Sequence, residues 1–174
     1  MKKLLSLLAI TSLLFASCSS DGPQGPPGPP GADGVNIVGQ AFEVEVDFIA
    51  PDYSIFAEFP SNVEVLDSDV VLVYWLEAVD DGTDVWSLIP QTIYFSDGEF
   101  QYNYNHTDFD VNIYLQGNID LGTLGTRYTQ DQIFKIVVLP VDYASNSGID
   151  LSNYENLKAN FDIQELDIQE VNIH

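Results

Sequence analysis

Hydrophobic and polar residues alternate with a period of two through most of the chain beyond residue 37. Phe42, Val44, Val46 and Phe48 interleave with Glu43, Glu45 and Asp47, the signature of a strand with one buried and one acidic face. Phe100, Tyr102 and Tyr104 alternate with Gln101, Asn103 and Asn105. Phe109, Val111, Ile113 and Leu115 do the same against Asp110, Asn112 and Tyr114. Two runs are nearly continuous instead: Val70 to Leu76, and Ile133 to Leu139, broken only by Lys135. Runs this short and this apolar predict central strands covered on both faces.

Turn chemistry falls between these segments. Asp81-Gly82 and Asp97-Gly98 are hairpin signals, the second joining strands expected over 92–96 and 99–105. Gly117-Asn118 closes the strand over 109–116, and Pro51, Pro60, Pro90 and Pro140 stand at strand ends, where a missing backbone donor costs least. One short helix is expected over 151–159, with Ser152 as N-cap and Glu155 three residues on. Residues 162–171 repeat D-I-Q-E-L as D-I-Q-E-V, a period of five that reads as a bulged terminal strand. Eight or nine strands and one helix predict an all-β chain, a single β-sandwich of Greek-key or jelly-roll type over residues 37–174.

The N-terminus follows another pattern. Met1-Lys2-Lys3 is basic, Leu4 to Phe15 is apolar but too short for a permanent span, and Ala16-Ser17-Cys18 closes the stretch with small residues. Phe15-Ala16-Ser17-Cys18 resembles the bacterial lipobox, with Phe15 in place of the usual aliphatic residue. The resemblance implies that a signal peptide, residues 1–17, is removed and that the Cys18 sulfur is lipidated. Each buried methylene adds about 0.8 kcal/mol, so several acyl chains would hold the chain at a membrane. Ser19 and Ser20 follow the cysteine without an aspartate directly after it, so the resemblance implies an outer-membrane lipoprotein of a Gram-negative bacterium, facing the periplasm or the cell surface.

Gly recurs at 22, 25, 28, 31 and 34, with proline filling most of the early gaps. This resembles the short collagen-like segments of some bacterial surface proteins. Collagen needs glycine at every third position because only glycine fits the axis of three polyproline-II strands. Residues 18–36 are therefore read as a lipidated cysteine and a tether. The tether is either a disordered or polyproline-II spacer, reaching on the order of 50 Å, or one strand of a homotrimeric stalk whose register the following domain supplies.

Charge narrows the partners. The chain carries 27 acids and a formal net charge of −22. If Lys2 and Lys3 leave with the signal, Arg127, Lys135 and Lys158 remain, and the balance becomes 3 minus 27, or −24. Duplex nucleic acid and bare anionic lipid would be repelled, so no nucleic-acid partner is expected. An acidic, solvated surface is the plain explanation of the charge.

Catalytic signatures are sparse. The histidines are His106 and His174, there is no G-x-S-x-G elbow, and no glycine-rich phosphate cradle opens a helix. Cys18 is the only cysteine, which excludes an intramolecular disulfide or a redox pair. Asp80, Asp81 and Asp84 cluster at a turn, and Asp67/Asp69 and Asp108/Asp110 are close pairs, yet none matches a calcium loop. Trp75 is expected in the core, and Trp86, Tyr53 and Tyr114 at outward positions. The expectation is a non-enzymatic β-sandwich with no catalytic residue, cofactor or metal site. It would bind a protein or glycan ligand at the end of a lipid-anchored tether. The alternatives are a hydrolase using His106 and a trimeric structural component of a surface or matrix.

Overall fold

In the computed structural model, residues 38–140, 148–166 and 173 are described. The signal, Cys18, the glycine triplets and the whole second D-I-Q-E repeat, 167–171, lie outside them. The account below concerns the compact unit Asn36–His174.

Strand alternation is realised as two packed antiparallel layers. Sheet A holds β1 (Gly39–Val46), β3 (Val70–Asp80), β4 (Thr83–Leu88), β8 (Gln132–Leu139) and β9 (Ile163–Glu165), in the order β4-β3-β8-β1-β9. Sheet B holds β2 (Ser54–Glu58), β5 (Gln91–Phe95), β6 (Gly98–His106) and β7 (Asp110–Gly117), in the order β2-β7-β6-β5. β1 pairs with β8 and β2 with β7, a nested arrangement of sequence-distant strands. Only β9 runs parallel to its neighbour, β1. The fold is an all-β sandwich with one α-helix among the described residues, α1 (Tyr154–Asn160).

Two cores result. Between the sheets, Phe42, Val44, Val73, Trp75, Phe134 and Ile136 from sheet A meet Ile55, Phe100, Tyr102, Val111 and Ile113 from sheet B. On the far side of sheet A, Leu72, Tyr74, Val137 and Leu139 are roofed by Tyr154, Leu157 and Phe161 of α1 and its end. The nearly continuous apolar runs of β3 and β8 follow directly, since these strands feed both cores. Buried phenols are anchored: Tyr102 donates to the Tyr128 carbonyl at 2.7 Å and Tyr74 to the Leu151 carbonyl at 2.6 Å.

Three local expectations need correction. The helix is capped by Asn153, whose side chain accepts from the Asn156 amide at 3.0 Å. Ser152 instead donates to Asp150, at 2.6 Å, one turn residue too early to cap. The second hairpin turns on Ser96-Asp97, with Phe95 paired to Gly98; Gly98 opens β6 because a Cβ there would strike Asn118 and Ile119. Phe109 is not an inward strand residue. Thr107 Oγ1 donates to Asp110 Oδ1 at 2.7 Å, closing a turn that leaves Phe109 77% exposed. Of the terminal strand expected over 162–171, β9 (Ile163–Glu165) is present, and residues 167–171 lie outside the described residues. The Asp81-Gly82 hairpin forms as expected, both residues taking positive φ, 49° and 79°.

Candidate functional site

The strand period that buries one face of sheet B displays the other. Register aligns its outward residues into rows. Gln116, Gln101 and Thr92 lie side by side on β7, β6 and β5. Next come Ser54, Tyr114 and Asn103, and then Phe56, Asn112 and Asn105, on β2, β7 and β6. These nine positions hold five amides, two hydroxyl residues and two aromatics, and no charge. In a chain with 27 acids, an uncharged field of this size is a departure from the rest of the surface.

The field is only partly occupied with itself. Ser54 Oγ donates to Asn112 Oδ1 at 2.7 Å, and Gln101 Nε2 donates to Thr92 Oγ1 at 2.9 Å. Asn103 Nδ2 is covered by its neighbours and has no acceptor among the described residues, a condition that costs about 1–3 kcal/mol. Phe56 is 42% exposed, and Tyr94, at the outer edge on β5, is 75% exposed. A shallow cleft of about 300 Å³ opens between Thr92, Glu99, Gln101, Gln116 and Asn118. Asn118 is held in place there, its Oδ1 accepting from the Glu99 amide at 2.8 Å. Gly117 keeps β7 close to β6, since a Cβ would lie 2.9 Å from the Phe100 Cα.

A second polar cluster sits on the opposite side of the sandwich. Lys135, 5% exposed in mid-β8, reaches Glu43 at 3.0 Å and Glu165 at 3.8 Å. Its ammonium lies 4.4 Å from the Trp86 ring centroid and 4.3 Å from that of Tyr154. Tyr154 donates to Glu165 at 2.9 Å. Burial, helped by that hydrogen bond, pushes the Tyr154 phenol well above its usual range. The Tyr154 hydroxyl, then Lys135 and Lys158, hold the Glu165 carboxyl below the usual carboxylate range. The lysine's partners come from β1, β4, α1 and β9, so the cluster ties the helix and the last strand to the sheet.

The structure distributes the sequence candidates as follows. His106 ends β6 in an exposed position, and its Nδ1 lies 3.1 Å from the carbonyl oxygen of Thr107. No serine or carboxylate is hydrogen-bonded to it among the described residues. Trp75 is core, its Nε1 donating to Gln132 Oε1 at 3.1 Å. Trp86 is half-buried over Lys135 rather than open, and Tyr53 packs against the main core. Tyr114 does stand on the outer face of sheet B. No group of three or more His, Cys, Asp or Glu side chains converges on a metal-sized point among the described residues. The amide field itself escaped the sequence reading. Its signal is there in hindsight: the outward positions of 101–105 and 112–116 are amides and a tyrosine, where β1 carries acids.

Compared with known proteins, the chain matches no family model, no curated protein and no solved structure.

Proposed function

We propose that this protein is a lipid-anchored envelope component whose sandwich is a non-enzymatic binding module, with the outer face of sheet B as its contact surface. The observation that carries the reading is the uncharged amide and aromatic field on an otherwise strongly acidic chain. Polar groups left without partners on a rigid sheet are pre-organised for a ligand, because little entropy remains to be lost there. In this reading Cys18 supplies the lipid anchor at the outer membrane and residues 19–36 act as an extended spacer.

Hydrogen exchange tests the contact surface. The full chain, mixed with an envelope extract, should gain protection in 101–105 and 112–116. Protection confined to α1 and β4 would move the contact surface to the other sheet. Mass spectrometry of the N-terminal peptide should find an acylated Cys18, and Cys18→Ser should leave the chain unacylated. The strict glycine period favours a second arrangement, a homotrimer on a collagen-like stalk, which would make binding multivalent. Light scattering on the chain from Ser19 onward decides between the monomeric spacer and the trimeric stalk.

A further inference from the structure

We propose that the outer face of sheet B takes a neutral oligosaccharide, laid across its rows of amides. The proposal rests on the reading of that face as the binding surface and adds the chemical class of the ligand.

Charge is the first argument. The field is neutral, while Asp110 and Glu99 stand at its two ends on β7 and β6. Of the described cations, Lys135 and Lys158 belong to the cluster on sheet A, and Arg127 lies over the Tyr128 ring in the turn Thr126–Tyr128, outside the rows. Uronic-acid or sulfated chains would meet carboxylates at both ends and no cation within the rows, so an acidic polysaccharide is disfavoured. An uncharged one is not, and the end carboxylates can accept hydrogen bonds from its hydroxyls.

Chemistry is the second. A sugar hydroxyl both donates and accepts, and so does a carboxamide. Gln101, Gln116, Asn105 and Asn112 therefore match a polyol whichever way each hydroxyl turns. A protein partner would be better served by an apolar or arginine-rich centre, and here the centre is amide. Asn103 carries an amide nitrogen with no acceptor; a hydroxyl above the row supplies one once the side chain turns outward.

Geometry is the third. Strands about 4.8 Å apart place three such groups within roughly 10 Å across the sheet, a span suited to a short run of sugar rings. Tyr114 at the centre offers a ring against which the C–H face of a pyranose can lie, flanked by the exposed Phe56.

The test uses the full chain in a zwitterionic detergent that carries no sugar headgroup. It is applied to an array of neutral, acidic and amino oligosaccharides, and calorimetry follows on the strongest neutral one. Binding with a Kd below about 1 mM is expected. Tyr114→Ala should weaken it by roughly tenfold or more, and the paired change Gln101→Ala with Gln116→Ala by a similar factor. Both variants should keep the wild-type circular dichroism, and the glutamine pair remains informative if Tyr114→Ala misfolds. An acidic or amino glycan bound in place of neutral ones, and lost in the same variants, would overturn the ligand class and leave the face standing. Neutral binding untouched by either variant would overturn the face as well. Retention of no oligosaccharide at all would overturn the carbohydrate assignment, with exchange protection by an envelope extract then pointing to a protein.

Discussion

Lys135 occupies a position in β8 where its sequence neighbours are all apolar, and it is nearly as buried as they are. Its aliphatic stem packs between two rings while the head meets carboxylates that are themselves half in solvent. Because those carboxylates stay hydrated, removing the lysine does not strand a charge in a dry interior, and packing should dominate the cost. Lys135→Met, which keeps the stem, is expected to cost about 1 kcal/mol. Lys135→Ala, which leaves a hole under Trp86 and Tyr154, should cost about 2–3 kcal/mol. Urea midpoints measure both, and equal losses would make the ion pairs dominant. Asn103 offers the opposite case. Asn103→Val removes an unpaired donor and should raise stability by about 1 kcal/mol, seen as a higher melting temperature, together with weaker ligand binding.

Elements were legible in proportion to how far local pattern decides them. β1, β3, β6, β7 and β8 could be read because alternation or a nearly continuous apolar run persists for seven residues or more. β2 could not: S-I-F-A-E alternates weakly, and its strand state comes from pairing with β7. The helix was placed correctly but started on the wrong cap, since Ser152 and Asn153 are adjacent and either could cap by composition. Asp150 decides between them by taking the serine hydroxyl. Asn153→Ala should therefore cost about 1 kcal/mol, whereas Ser152→Ala should leave helix capping intact; thermal melts compare the two. The dock of α1 and β9 is also pH-dependent. Glu165 titrates lower in the fold than in the unfolded chain, so its contribution is present above about pH 4.3 and is lost as pH falls through the folded value. Glu165→Gln should flatten that acid limb of a stability-against-pH curve. The amide field was legible only with the register known, because strands β2, β7, β6 and β5 bring together residues from 54 to 116.

Across the molecule, the two sheets divide the work. Sheet A is covered by the main core on one face and, over Leu72, Tyr74, Val137 and Leu139, by the helix on the other. Sheet B is sealed on one face and open on the other. Alkaline stability reports the sealed part. Tyr74 and Tyr102 are pushed up chiefly by burial, as is Tyr154. Their contribution is whole below about pH 10 and is lost as pH rises beyond it, because the unfolded chain ionises its phenols first. Urea midpoints should fall steeply above that pH, and the share of phenolate absorbance that belongs to these buried phenols should appear only together with loss of structure.

The place of β1 has a mechanical consequence. Any pull arriving from the N-terminal side enters through Gly39, at the start of a strand held along seven residue pairs by β8 and on its other edge by β9. Tension directed along that strand loads its hydrogen bonds together, in shear, instead of opening them one by one. From β8 the load spreads into the core shared with sheet B. A head tethered through this strand would resist drag on a captured ligand with an element bonded along both of its edges.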